Sequence, residues 1–240
     1  MANYTSKLMK QKEIAEGTMA FYFERPTNFE YKAGNSLDLT IVDPPETDTK
    51  GNTRPFSIAS APYEKELMIA TRMRDTAFKR VIKNTELNLK LQIEGPFGSF
   101  TLHNDDSRPA VFLMGGIGIT PARSILLDAA KRKLTHKLYL FYSNRRPEDS
   151  AFLSELQELE KENPNYRFIG TMTDMEKSKL PWGGNRGYID EALIRKHLAD
   201  VTNPIYYLAG PPAMVVAMRG ILTKLGVNED NIRTEEFSGY

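Results

Sequence analysis

The sequence predicts two domains, an antiparallel β-barrel followed by an α/β domain with a parallel, Rossmann-like sheet. Three observations carry this. The chain has 240 residues, more than one typical domain of about 150 and enough for two cores. From about residue 7 to 102, apolar residues alternate with polar ones in short runs, the period of half-buried strands. After the polar stretch 103–109 the texture becomes solid apolar runs followed by helical periodicity, as in βαβ units. The boundary falls near Asp106, which gives units of 1–105 and 106–240.

In the first unit, Met19, Phe21 and Phe23, then Leu37, Leu39 and Ile41, then Leu67 and Ile69, then Leu87, Leu89, Leu91 and Ile93 mark strands. Turn residues at Ala33-Gly34-Asn35, Asp43-Pro44-Pro45 and Gly51-Asn52 separate them, which favours an antiparallel sandwich or barrel. One helical stretch covers 76–84, with Asp75 or Thr76 as its N-cap. In the second unit, buried strands are expected at 110–114, 138–142, 167–170 and 205–208, and helices at 121–133, 150–162, 190–199 and 212–225. Met214, Met218, Ile221, Leu222 and Leu225 form a stripe on the last helix, read as core.

Composition excludes several function classes. The 32 basic residues balance 31 acidic ones, so the basic surface needed for phosphate-backbone binding is missing and nucleic acid is not an expected partner. Cys is absent, which removes disulfides, thiolate zinc sites, Cys-ligated iron–sulfur clusters and Cys nucleophiles. Electrons moved by this chain must therefore ride on a non-covalently bound group. No apolar run approaches the roughly 18 residues of a membrane span, and residues 1–20 lack an apolar leader core, so a cytoplasmic protein is expected. His103, His136 and His197 have no metal-ligand spacing, and no Gly-x-Ser-x-Gly elbow occurs; neither a metal nor a serine hydrolase is expected.

The most informative motif is Gly115-Gly116-Ile117-Gly118-Ile119-Thr120-Pro121, directly after an apolar strand and before a helix expected to begin at Pro121. Glycines let a backbone approach a pyrophosphate closely, and a helix start offers free N–H groups and the favourable dipole end. No Gly-Lys-Ser/Thr ends it, so it is not a triphosphate loop. After the next strand, Ser143-Asn144-Arg145-Arg146 lies where an adenosine ribose meets a doubly wound sheet. Two guanidiniums suit the 2′-phosphate of NADP, whereas Glu148-Asp149 just behind would suit NAD; a solvated basic loop is the plain alternative. Ala209-Gly210-Pro211-Pro212 sets a second strand end against a helix start beside the same crevice.

Three motifs stand out in the first unit: Arg54-Pro55-Phe56-Ser57, Arg72-Met73-Arg74-Asp75-Thr76-Ala77 and Glu94-Gly95-Pro96-Phe97-Gly98. A guanidinium can clamp phosphate, an aromatic ring can stack on a planar heterocycle, and a serine hydroxyl can hydrogen-bond a ring nitrogen. Taken singly, each reads as easily as a strand start, a helix cap or a turn.

In order along the chain, Arg54-x-Phe56-Ser57, Gly95-Pro96-x-Gly98, Gly115-Gly116-x-Gly118-x-Thr120-Pro121, Gly210-Pro211-Pro212 and Glu235-x-Phe237 resemble the motifs of the ferredoxin–NADP reductase-like flavoproteins. The resemblance implies a flavin-binding barrel followed by a nicotinamide dinucleotide domain, with hydride passing between the two rings in the cleft. It makes Ser57, Glu235 and Phe237 the catalytic set, Ser57 as partner of flavin N5. It makes Arg54 a phosphate ligand, with Pro55 beside it and Phe56 as stacking ring, and it sets Ala70, Thr71, Arg72, Thr76 and Ala77 about the flavin and its phosphates. Gly116, Gly118, Thr120 and Pro121 fall at the dinucleotide pyrophosphate, Ser143 and Arg145 at the adenosine, and Ala209, Gly210 and Pro211 near the nicotinamide. Tyr240 either packs over flavin or adenine or is simply the chain end. FAD is favoured over FMN, NADPH or NADH is the hydride donor, and the implied acceptor is external: ferredoxin, flavodoxin, an oxygenase component or a small oxidant. The chain departs from the family pattern where Phe56 replaces a usual Tyr and Ala209 a usual Cys. Two rivals remain at this stage, a non-catalytic electron-transfer or redox-sensing module, and a flavin-free nucleotide-binding domain joined to an interaction barrel.

Overall fold

The computed structural model describes residues 3–237 apart from 86 and 88, so Tyr240 lies outside the described residues. The first sheet contains β1 (Asn3–Ala15), β2 (Thr18–Phe23), β3 (Ser36–Ile41), β4 (Thr53–Ser57), β5 (Leu67–Arg72) and β6 (Lys90–Phe97) in the order β4-β3-β6-β1-β2-β5. Every pairing within it is antiparallel. The end strands β4 and β5 are not hydrogen-bonded to each other, so the barrel is a half-barrel. Its core is the alternating set read from the sequence, including Phe21, Phe23, Leu37, Leu39, Leu67, Ile69, Leu91 and Ile93. Phe78, Val81 and Ile82 of α1 (Ala77–Asn84) pack against that core. Thr76 is the N-cap, its hydroxyl accepting from Lys79 N.

Two departures in this unit have physical reasons. Strand β6 begins at Lys90, and Leu87, expected within it, is 52% exposed; apolar alternation there continues past the last ladder partner. Strand β1 carries almost no apolar signal, since only Ser6 and Leu8 of its residues are buried. It forms because its backbone pairs on both sides, with β2 and with β6, and ladder hydrogen bonds do not depend on side-chain type.

The second sheet holds β7 (Ala110–Gly115), β8 (Leu138–Asn144), β9 (Tyr166–Met172), β10 (Asn185–Arg186), β11 (Ile205–Gly210) and β12 (Ile232–Glu236), all parallel, in the order β10-β9-β8-β7-β11-β12. Helices α2 (Ile119–Lys131), α3 (Leu153–Glu162), α4 (Glu191–His197) and α5 (Pro212–Lys224) flank it. Every residue of β7 and β11 is buried, which is why they read as unbroken apolar runs. Strand order reverses between β7 and β11, so the ligand crevice of such a sheet lies at their carboxyl ends.

Helix α2 starts at Ile119, two residues before the expected Pro121. Pro121 is its third residue, where an N–H would have no partner within the helix in any case. Helix α3 starts at Leu153 instead of 150, because residues 147–149 form a 3-10 turn and Phe152 takes a left-handed φ of 59°. On α5 the buried residues are Val215, Met218 and Leu222, with Met214 and Ile221 packed beside them. Strand β12 escapes sequence reading because Ile232-Arg233-Thr234-Glu235-Glu236 is mostly polar and forms a sheet edge.

The halves share one apolar cluster. Ala20, Ala59, Ala61, Met68 and Ala70 of the barrel pack with Phe100 and with Ala122, Ile125 and Leu126 of α2. The small barrel side chains allow this close approach. The connection 98–109 is pinned to the second sheet: Tyr207 Oη receives His103 N–H at 2.9 Å and donates to Thr101 O at 3.2 Å. His136 Nε2 lies 2.9 Å from His103 O. Two histidines far apart in sequence thus meet as a structural pair; burial holds the His103 ring below its usual pKa. Among the described residues, no helix is long and apolar enough to cross a membrane.

Candidate functional site

At the switch point, Gly116–Gly118 forms a 3-10 turn between β7 and α2. Gly116 takes a left-handed φ of 51° and is the one residue of 115–121 that is partly exposed. A Cβ on Gly118 would stand 2.5 Å from the carbonyl of Ala209, so only glycine lets the two crevice loops touch backbone to backbone. Thr120 is 1% exposed and its hydroxyl donates to Ile117 O at 3.1 Å; Pro121 is buried with it. Gly118, Thr120 and Pro121 therefore build the turn, and Gly116 is its partly exposed residue. Across the crevice, Ala209 and Gly210 are buried and Pro211 is half-buried.

Strand β12 carries Glu235 into the same place, in register with Ala209. Ser57, the last residue of β4 and 4% exposed, donates its hydroxyl to Glu235 Oε1 at 2.9 Å, joining positions 178 residues apart. Burial pushes the Glu235 carboxyl above the usual range, opposed by that hydrogen bond. Its other oxygen, Oε2, is buried without a hydrogen-bond partner among the described residues. Such an oxygen is costly unless a donor arrives or the carboxyl carries a proton. Phe237 donates its N–H to Gly210 O at 3.1 Å and packs against the shared cluster. Ser57, Glu235, Phe237 and Gly210 thus converge from both halves of the chain.

On the barrel side, Phe56 stacks at a tilt on Phe78 with ring centroids 5.8 Å apart. Pro55 is exposed beside it. Arg54 lies over Phe78 at 5.3 Å and donates through Nη1 to the carbonyls of Lys50, Gly51 and Thr53. Its Nη2 holds Asp48 at 2.9 Å. Thr76 and Ala77 form the start of α1, whose first turn has no acidic residue. Lys79 is pushed down to about 8 by burial and then by the cations Arg74 and Arg54. Its ammonium donates to Arg72 O at 2.6 Å, and with Arg54 and Arg74 it gathers positive charge near the start of α1. Ala70 and Thr71 are buried in β5. Arg72 turns elsewhere, its guanidinium donating to Asp149 O at 3.1 Å across the seam.

At the carboxyl end of β8, where the family resemblance expects adenosine, Ser143 is half-buried and Arg145 is exposed, with no ion pair among the described residues. Arg146 is committed to Asp149 through two contacts of 2.9 Å and to Glu16 at 3.2 Å. The expectation of two available guanidiniums reduces to one. Glu148 is likewise occupied, accepting from Ser178 Oγ at 2.9 Å and from Leu180 N at 3.2 Å. Trp182 packs over Gly170 and Gly184 and donates Nε1–H to Asn185 O at 2.8 Å, so it plugs the sheet edge.

Sequence reading missed Arg123. It is 5% exposed on α2, donates to Ala59 O at 2.8 Å, and grips both oxygens of Glu64 and of Glu155. Its signal was a lone cation inside an apolar helix, Ile119 to Leu127.

The oxygen left bare on Glu235, the cations gathered around Lys79 and α1, and the half-open turn at Gly116 suit a flavin with a phosphate tail and a nicotinamide dinucleotide. Residues 112–220 match the oxidoreductase NAD-binding domain family. The chain is similar to the terephthalate 1,2-dioxygenase reductase component 1 of Comamonas sp, 28% identical over 210 residues, covering 87% of this chain and 60% of that protein. It thus spans less than two thirds of that relative. The fold resembles the Amycolatopsis cytochrome P450 reductase GcoB, with a TM-score of 0.83 at 22% identity over 98% of this chain and 70% of that one. It also resembles a ferredoxin NADP+ reductase from Neisseria gonorrhoeae with bound FAD and NADP, with a TM-score of 0.79 at 20% identity over 98% of this chain and 99% of that one.

Proposed function

We propose that this chain, a member of the ferredoxin–NADP reductase-like flavoproteins, takes hydride from NAD(P)H onto a bound flavin and passes the electrons to a separate acceptor. The observation that carries this is the Ser57–Glu235 hydrogen bond, which ties the end of a barrel strand to the carboxyl end of the nucleotide-binding sheet. A flavin supplies the chemistry that no side chain here has, accepting two electrons together and releasing them singly.

The protein's own groups bind and orient. Arg54, Lys79 and the N–H groups opening α1 hold the flavin phosphate end, and Phe56 supports the ring system. Ser57 and Glu235 hold the reactive edge and exclude water from it, which matters because hydride transfer depends on alignment more than on acid chemistry. Gly116 receives the dinucleotide pyrophosphate, and Arg145 the 2′-phosphate of NADPH. FAD is preferred to FMN, supported by the FAD held in a structure of the same fold. Dioxygenase reductase components among the relatives support an oxygenase partner or a ferredoxin as acceptor.

Adding FAD and FMN to the purified protein tests the reading. A yellow complex that oxidises NADPH or NADH with ferricyanide is expected. A protein that stays colourless ends the proposal, and one that binds flavin without turnover supports a non-catalytic module instead. Replacing Arg145 by alanine is expected to weaken NADPH by about tenfold to a hundredfold, the worth of a charge-assisted hydrogen bond, while NADH changes less than about twofold. Equal losses would remove the 2′-phosphate assignment.

A further inference from the structure

The flavin phosphate subsite already contains an anion, and it belongs to the chain itself. The loop between β3 and β4, residues 42–52, is tied to α1 through Glu46 and Arg80. Asp48 Oδ1 accepts from Arg54 Nη2 at 2.9 Å and from Lys50 N at 2.9 Å. Arg54 spends Nη1 on the carbonyls of Lys50 and Gly51 in the same loop and of Thr53 at the start of β4, so the edge carrying Nη2 is the one Asp48 occupies. A second clamp holds the loop from its other side: Glu46 receives Arg80 Nε at 3.0 Å and Nη2 at 2.6 Å, and Arg80 also pairs with Asp75. The other charged groups at this end of the helix are Arg74 and Lys79.

We propose that Asp48 is an internal competitor for the phosphate of flavin. It neutralises Arg54 and must leave that guanidinium before a phosphate can sit there. The inference rests on the flavin reading above and adds a specificity determinant to it. A carboxylate and a phosphate placed on one guanidinium repel each other, so the two are held in turn. The site therefore discriminates against the phosphorylated end of flavin while leaving the ring system unaffected. Flavin becomes an exchangeable ligand in consequence. The competing possibility is that Asp48 positions Arg54 for phosphate, in which case its removal would act in the opposite direction.

The sign of one measurement separates these. D48N and D48A, prepared without flavin, are titrated with riboflavin, FMN and FAD by flavin fluorescence quenching. FMN and FAD are expected to bind about tenfold more tightly than to the wild type, as for loss of one charge-assisted competitor, with riboflavin within about twofold. E46Q loosens the loop without touching Arg54, and is expected to give a smaller gain for FMN and FAD only. It carries the test should the Asp48 variants not fold. Equal or weaker FMN and FAD binding, or an equal gain for riboflavin, would overturn the role of Asp48 and leave the flavin reading standing. Failure of the wild type and every variant to bind any of the three flavins would overturn both.

Discussion

Replacing Ser57 by alanine is expected to slow reduction of the bound flavin by nicotinamide about a hundredfold, with flavin affinity changed only a few-fold. Small misplacements of reacting rings cost that much, and Ser57 is the residue through which the barrel meets Glu235 at 2.9 Å. The pH dependence has a definite sign. Burial raises the Glu235 carboxyl and the Ser57 hydroxyl opposes it. The acid limb of the wild-type rate should therefore lie above the ordinary glutamate range, move further up in S57A, and vanish in E235Q. Stability should behave in the complementary way. The folded chain holds the Glu235 proton more tightly than the unfolded chain, so ionised Glu235 opposes folding as pH rises through its carboxyl range. The Tm of E235Q should exceed that of the wild type, by a margin that grows over that interval. An S57A rate equal to wild type would remove Ser57 from the reaction.

The second large effect concerns stability. Changing Arg123 to methionine removes the donor for Ala59 O and the partner of two carboxylates, Glu64 and Glu155, which are 29% and 38% exposed. Breaking a fully buried pair costs about 3–5 kcal/mol; with carboxylates this exposed, about 2–3 kcal/mol is expected. Urea unfolding at neutral pH reads it. Arg123 ties α2 and α3 to the barrel segment just after Ser57, so the variant should also show slower flavin reduction with unchanged NADPH affinity. A loss below about 0.5 kcal/mol would make the cluster a surface ornament.

The sequence made legible whatever depended on side-chain periodicity. The alternating strands β2, β3 and β5 and the solid runs β7, β8 and β11 announced themselves because burial on one face or two imposes period two or none. Strands β1 and β12 did not, since the first is held by pairing on both flanks and the second is a polar edge whose value lies in delivering Glu235. The motif order singled out Ser57 and Glu235, which the fold brings into contact, yet motifs cannot say which atoms are already spent. Only three-dimensional placement distinguishes the exposed Arg145 from Arg146, which Asp149 and Glu16 hold. It also turns Arg72 towards Asp149 and Thr120 inward onto Ile117. Arg123 lay hidden because its partners come from residues 59 to 64 and from residue 155, separations that no local pattern encodes.

The most direct test of the central claim is a stopped-flow experiment in which flavin-loaded protein is mixed, without oxygen, with NADPH and in parallel with NADH. Single-turnover bleaching of the flavin band, faster with NADPH and about a hundredfold slower in S57A, is the predicted result. A flavin band that neither nucleotide bleaches would contradict the account, because the two rings would then not meet between the halves of this chain.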